Sequence, residues 1–404
     1  MATLLIRDLA QAVSPAGTGA PLRGREAMRS VDVVEDAFIL CEEGRISAVG
    51  RMRDLEPLDG DVEELDGSGC AAIPGLVDCH THAVFAGSRA QEFELRSGGA
   101  SYEELHAAGG GILSTVEATR AADEEGLRAA LALHRGWMLA SGTTTFEAKS
   151  GYGLDHDTEL AMLRIVRDAG GIPTWLGAHA VPREFEDADA YLDFALAEVL
   201  PEAAVIAEAA DVFLEREAFD AGQARRYLEA CRDAGLRLRL HADQFTEAGG
   251  VPLAVELGAV SVDHLEATGE DGARRLGQSD VAAVLLPVAA LVLGRPMPPA
   301  RTLIDEGAIV ALATDFNPGS AFCESLPLVC ALACTQMQMS PAEALAACTV
   351  NAAHVLGRAD RAGRLAPGYD ADIVLLDASD WRYLAYHLGG NHVAQVIQGG
   401  VPAA

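Results

Sequence analysis

The feature that most limits what this chain can fold into is a rhythm. A short apolar, β-rich run ends in a polar residue and is followed by an Ala- and Leu-rich stretch, and eight such units occur in succession. Their strand segments read AIPGLVDCH, TTTFEAKS, PTWLGAHA, ADVFLERE, RLRLHAD, AVSVDHLE, VAAVLLP and IVALATD. The stretches between them, such as DTELAMLRIVRDAG, DAGQARRYLEACRDAG and EAGGVPLAVELG, carry apolar residues at helical spacing. Strand alternating with helix implies a parallel sheet, and eight repeats predict its closure into an α/β, (β/α)8 TIM-like barrel over residues 71–358. Residues 1–70 and 359–404 break the rhythm. DAFILCEEGRISAVG near the start, and GRLAPGYDADIVLLDA with HVAQVIQGG near the end, alternate as strands with glycine turns. The expectation is one small β-sandwich formed from both chain ends.

In a parallel barrel the chemistry sits on the face where the strands end. The polar residues there are His80 and His82, Glu147 and Lys149, His179, Glu215, His241, His264 and Asp315, which takes in five of the 11 histidines. The others, His106, His134, His156, His354, His387 and His392, fall in helical or loop stretches and read as ordinary surface or core residues. The long insert at 83–120, with its GGGIL run, is a candidate active-site loop.

His80 and His82 form a His-x-His at the end of an apolar run. Alternate residues of an extended segment point the same way, so two imidazoles can meet one metal. By itself this motif is weak, because two histidines in a loop are common. It is answered by His241 at the fifth strand end and Asp315 at the eighth. Three neutral imidazoles and a carboxylate suit one divalent metal, zinc or iron, with room left for water. His264, one strand after His241, is placed to act as general base or electrophile beside that water; a satisfied core histidine is the competing account.

Composition closes off other functions. A formal charge of −30 opposes nucleic-acid binding, since phosphates would meet an acidic surface. The amino terminus MATLLIRDLAQAV lacks a basic start followed by a long apolar stretch, so a cytoplasmic enzyme with no membrane partner is expected. The eight cysteines lie far apart and read as reduced, mostly buried thiols. Of 30 basic side chains, Lys149 is the one lysine. A position that keeps lysine where arginine is used everywhere else points to a need for a compact ammonium.

PGLVDCHTH, HADQ, VDH, TDFNPGS and GRLAPGYDADIVLLD together resemble the metal-dependent amidohydrolases over nearly the whole chain. HTHAVFAGSRAQEFELRSGGASYEEL, TTTFEAKSGYGL, LGAHAVP and HADQF are similar, more narrowly, to the imidazolonepropionases of histidine degradation. The resemblance implies hydrolysis of 4-imidazolone-5-propanoate to N-formimino-L-glutamate and a homodimer. It implies His80, His82, His241 and Asp315 as metal ligands, and Arg89, Tyr152 and His179 as substrate-binding residues. Gln244 would then contact the ring, Asn317, Gly319 and Ser320 would line the far side, and His264 and Asp315 would be catalytic.

Chemistry agrees at several of these positions. Arg89 offers a fork matched to a propionate, and Tyr152 lies in a glycine-flanked loop leaving a strand end. Related cyclic deaminases carry a glutamate where this chain has Gln244, and glutamine cannot titrate. Lys149 would bridge two metals if carbamylated, as in some relatives, but Glu147 two residues earlier favours an ordinary electrostatic role and one metal. The alternatives are a deaminase or another cyclic amidohydrolase on the same barrel, and a metal-free scaffold.

Overall fold

A computed structural model describes residues 3–58, 60–99, 111–216 and 218–403. Its strands in chain order are β1 (Thr3–Pro15), β2 (Val31–Glu42), β3 (Arg45–Arg51), β4 (Val62–Asp66), β5 (Ala71–Pro74), β6 (Leu76–Asp78), β7 (Thr143–Lys149) and β8 (Ile172–Ala178). They continue as β9 (Ala209–Leu214), β10 (Arg237–Ala242), β11 (Ser261–His264), β12 (Ala282–Leu285), β13 (Ile309–Leu312), β14 (Ile373–Leu376), β15 (Val393–Gln398) and β16 (Val401–Pro402).

Strands β6 to β13 form one sheet in sequence order, and every pair within it is parallel. The seam between its first and last strands is joined just beyond their ends. There the Asp315 amide donates to the His80 carbonyl at 3.0 Å and the His82 amide donates to the Phe316 carbonyl at 2.9 Å. Helices connect the strands as the pattern of apolar residues requires. Helix His156–Asp168 starts on the side chain of Asp155, and helix Ala221–Asp233 starts on a capping box of Asp220 and Gln223. Such caps satisfy amide groups that the helix leaves unbonded.

The two chain ends meet in a second eight-stranded sheet, ordered β16-β15-β14-β5-β1-β2-β3, with β4 also paired to β1. It encloses its own core, which includes Leu4, Ile6, Ile39, Ile46, Ile373 and Ile397. The run AIPGLVDCH, read above as one barrel strand, is two strands. Ala71–Pro74 pairs antiparallel with β14 in the terminal sheet, whereas Leu76–Asp78 pairs with β7 in the barrel. Gly75 makes the transfer, and a Cβ there would overlap the Thr144 hydroxyl. Apolar alternation is the same in both sheets, so periodicity alone does not reveal the division.

Of the 83–120 insert, the described parts carry helices Ala90–Ser97 and Ile112–Ala121. Residues 100–110, with His106, lie outside the described residues. All eight cysteines are free thiols; Cys70, Cys323 and Cys334 are half-buried and the other five are buried. Among the described residues no helix is long and apolar enough to cross a membrane.

Candidate metal centre and its cavity

The strand ends converge as the topology demands. His80 Nε2 lies 3.5 Å and His82 Nε2 3.4 Å from Asp315 Oδ1, and His241 Nε2 lies 3.4 Å from His82 Nε2. Two sets, His80–His82–Asp315 and His80–His241–His264, each bring their ligating atoms within 4.8 Å of one another. All five side chains are buried. Four donors at about 2.1 Å from one cation in a tetrahedron stand roughly 3.4 Å apart, so the observed spacing is that of a coordination shell. His80 Nε2 is moreover a buried nitrogen with no hydrogen-bond partner. The donor set therefore fits a divalent metal.

Burial keeps the imidazoles neutral, which is the form that ligates. It drives His80 well below the ordinary histidine range, with Lys149 adding to the effect. By the same causes His82 falls to about 3. Burial lowers His241 to about 4, against the pull of Asp211. His264 differs. Burial opposes its protonation, but Glu266 at 3.4 Å, Asp315 and Asp263 outweigh burial and raise its pKa.

His264 reaches the cavity through a backbone irregularity. Consecutive strand residues face opposite sides, yet Asp263 points to His80 and His264 lines the cavity. His264 and Leu265 have φ of 86° and 71°, so the chain turns at the strand end and the side chains of Asp263 and His264 both face inward. Asp315, with φ of 57°, is likewise held in the left-handed region. Such conformations are costly for non-glycine residues and persist where surrounding contacts fix them.

Beneath the histidines lies a layer of buried charge of which Lys149 is the hub. Its Nζ lies 2.7 Å from Glu147, 2.8 Å from Asp211 and 3.9 Å from Asp263. Arg239 spans Glu147 and Asp263, each at 3.0 Å. Asp263 accepts from His80 Nδ1 at 2.6 Å and Asp211 from His241 Nδ1 at 3.1 Å, which turns the Nε2 atom of each ring toward the centre. An ammonium enclosed by three carboxylates is held charged, and Lys149 serves this layer.

Asp211, Asp263 and Arg239 were not singled out from sequence. The signal was present in RLRLHAD and ADVFLERE, where Arg239 lies two residues before His241 and Asp211 two before Phe213. Period-two spacing puts those charges on the inward face, one layer below the strand ends.

A cavity of about 290 Å³ opens above the histidines, lined by His82, Arg89, Tyr152, His179, His241, Gln244, His264, Asp315, Asn317, Gly319 and Ser320, with Glu92, Arg96, Phe213, Phe245 and Leu293 among the remainder. All seven residues expected to bind substrate thus face one space. His179 stacks on His82 at 5.3 Å between ring centroids, with Nδ1 bonded to the Gly151 carbonyl at 2.9 Å. Tyr152 is buried 5.8 Å from His82.

Asn317 spends its amide on its own turn. Its Oδ1 accepts from the Gly319 and Ser320 amides, both at 2.8 Å, and its Nδ2 donates to the Asp315 carbonyl at 2.6 Å. Glu215 is tied to the loop after Gln244, accepting from the Phe245 and Thr246 amides at 3.0 Å, and so braces that loop. Elsewhere, His134 is buried on a helix against the Ala83 carbonyl; His156, His387 and His392 lie away from the cavity.

A closed parallel barrel whose strand ends gather three imidazoles and a carboxylate at coordination spacing below a cavity defines a metal-dependent hydrolase of the barrel type. Residues 71–401 match the model of the Amidohydrolase family. The chain is 62% identical to the imidazolonepropionase of Rubrobacter xylanophilus, over 98% of each chain. It is 47% identical to that of Chloroflexus aggregans, over 98% of this chain and 97% of the relative. Among solved structures, E. coli guanine deaminase superposes with a TM-score of 0.77 at 14% identity, covering 100% of this chain and 99% of that one. An adenosine deaminase from Xanthomonas campestris with bound zinc gives 0.71 at 19% identity, covering 99% and 92%. The chain belongs to the amidohydrolase family and, within it, to the imidazolonepropionases.

Proposed function

We propose that this chain hydrolyses the cyclic amide of 4-imidazolone-5-propanoate to N-formimino-L-glutamate, using one zinc or iron ion held by His80, His82, His241 and Asp315. The observation that carries this reading is the pairing of unlike groups in one cavity. A metal-donor cluster and Arg89 line the same space, which suits a small molecule with a hydrolysable ring and a carboxylate tail. The donor set serves either metal.

When bound, the ion supplies a water of lowered pKa and a Lewis acid for the ring carbonyl. The residues do the rest. His264 and Asp315 orient the water, and Asp315 accepts its proton as the water oxygen bonds to the carbonyl carbon. Protonated His264 then donates to the developing oxyanion. The carbon–nitrogen bond breaks, its electron pair passes to the ring nitrogen, and Asp315 returns a proton there. Arg89 holds the propionate, Tyr152 and His179 flank the ring, and Asn317, Gly319 and Ser320 line the far side.

Gln244 contacts the ring as a donor and acceptor that cannot shuttle protons, which disfavours a deaminase. The −30 charge likewise disfavours nucleic acid as a partner. The deciding experiment is turnover by metal-assayed protein. Loss of imidazolone absorbance with formation of formiminoglutamate is expected; ammonia release from cyclic bases without that reaction would refute the reading.

A further inference from the structure

Arg89, Glu92 and Arg96 belong to helix Ala90–Ser97 and its N-cap, at positions i, i+3 and i+7, which place all three on one helix face. That face lines the cavity. The guanidinium of Arg89 is already engaged. Its Nε donates to Glu92 Oε2 at 2.8 Å and its Nη2 to Glu92 Oε1 at 2.5 Å. Glu92 is itself fixed by the Gly111 amide, which donates to its Oε2 at 2.7 Å. The Nη1 edge of Arg89 remains, packed so closely on the Asn317–Ser320 turn that a Cβ on Gly319 would overlap it.

This arrangement sets a charge problem. A carboxylate brought to Arg89 meets a guanidinium whose charge Glu92 already neutralises, so two anions would share one cation in a half-buried place. Arg96 resolves it. Among the described residues its guanidinium has no ion-pair partner within 4 Å and lies over the Phe93 ring, 5.8 Å from Cζ to centroid. Its charge nevertheless reaches Glu92, whose pKa burial would raise but which Arg89, Gly111 and Arg96 together lower.

We propose that Arg96 is a specificity-determining residue that supplies the second positive charge for the substrate's carboxylate, while Glu92 positions Arg89 with its Nη1 edge toward that group. This rests on the reaction proposed above only in taking the ligand to be a ring with a carboxylate tail.

The test uses the metal-containing full chain and two probes, 3-(imidazol-4-yl)propanoate and its primary amide, with binding followed by calorimetry. Replacing a charge-assisted contact typically costs about tenfold in affinity. Arg96→Met should weaken propanoate binding about tenfold and leave the amide within about twofold, and Arg96→Lys should recover part of the loss. An equal loss on both probes, or no loss on propanoate, overturns the assignment. Turnover of 4-imidazolone-5-propanoate by the unmodified protein is scored separately. If it fails while the two probes still discriminate through Arg96, the reaction is wrong and the carboxylate site stands.

Discussion

Two layers of the same barrel, one residue pair apart along its strands, carry charge in opposite ways. The upper layer, His80, His82, His241, His264 and Asp315, faces a cavity, leaves His80 Nε2 without a partner and holds two residues in the left-handed backbone region. The lower layer, Glu147, Lys149, Asp211, Arg239 and Asp263, is closed by ion pairs of 2.7–3.0 Å and is inaccessible to solvent. The contrast separates two uses of buried polarity. The lower layer spends its charges on one another and fixes direction; the upper ties the Nδ1 atoms of His80 and His241 to that layer and keeps their Nε2 atoms toward the centre.

The most severe way to break this contrast is Lys149→Met, which leaves three buried carboxylates facing Arg239 alone. Removing one partner from such a buried network costs about 3–5 kcal/mol, so a large drop in Tm is expected. An unchanged Tm would show that the lower layer does not set the stability of the barrel. His264→Ala should act on the upper layer only. Loss of one donor to a developing oxyanion lowers turnover about 100 to 1000-fold, with metal content and Tm retained, and near-normal kcat would remove His264 from the chemistry.

Gly319→Ala should displace Arg89 and mainly raise KM, by about tenfold, because a propionate contact exists in ground and transition states alike. An effect confined to kcat would contradict that role.

A further effect is on pH. Asp78, buried beside Thr314, has its pKa raised from 3.8 to about 7 by burial. A carboxyl whose folded pKa is raised disfavours the folded state once the unfolded chain ionises, so its penalty is absent below about pH 4, grows between pH 4 and 7 and is constant above. Asp78→Asn should therefore flatten part of the fall in stability of metal-free protein between those values. A parallel curve would show that Asp78 ionises without cost.

Much of this was legible before the structure, for a physical reason. A parallel barrel exposes the ends of its strands, so a polar residue closing an apolar run marks both the strand and the site; His80, His82, His241 and Asp315 stand out in this way. What lay hidden depended on direction and partnership. Arg239 sits mid-strand and reads as an exposed alternation until the barrel shows which side is inward. The aim of His264 depends on a positive φ that no residue type announces, and the hold of Glu92 on Arg89 depends on rotamers. The division of AIPGLVDCH between two sheets was invisible because both sheets bury it.

That division has a mechanical consequence. Ala71–Pro74 is stitched into the terminal sheet, and His80 follows six residues later in the barrel. The tether is too short to act as a hinge, since six residues span at most about 20 Å even fully drawn out. Any drift of the small domain would pull on His80. The terminal sheet is thus an anchor for the first histidine, and the two chain ends, remote in sequence from the chemistry, hold its starting point in place.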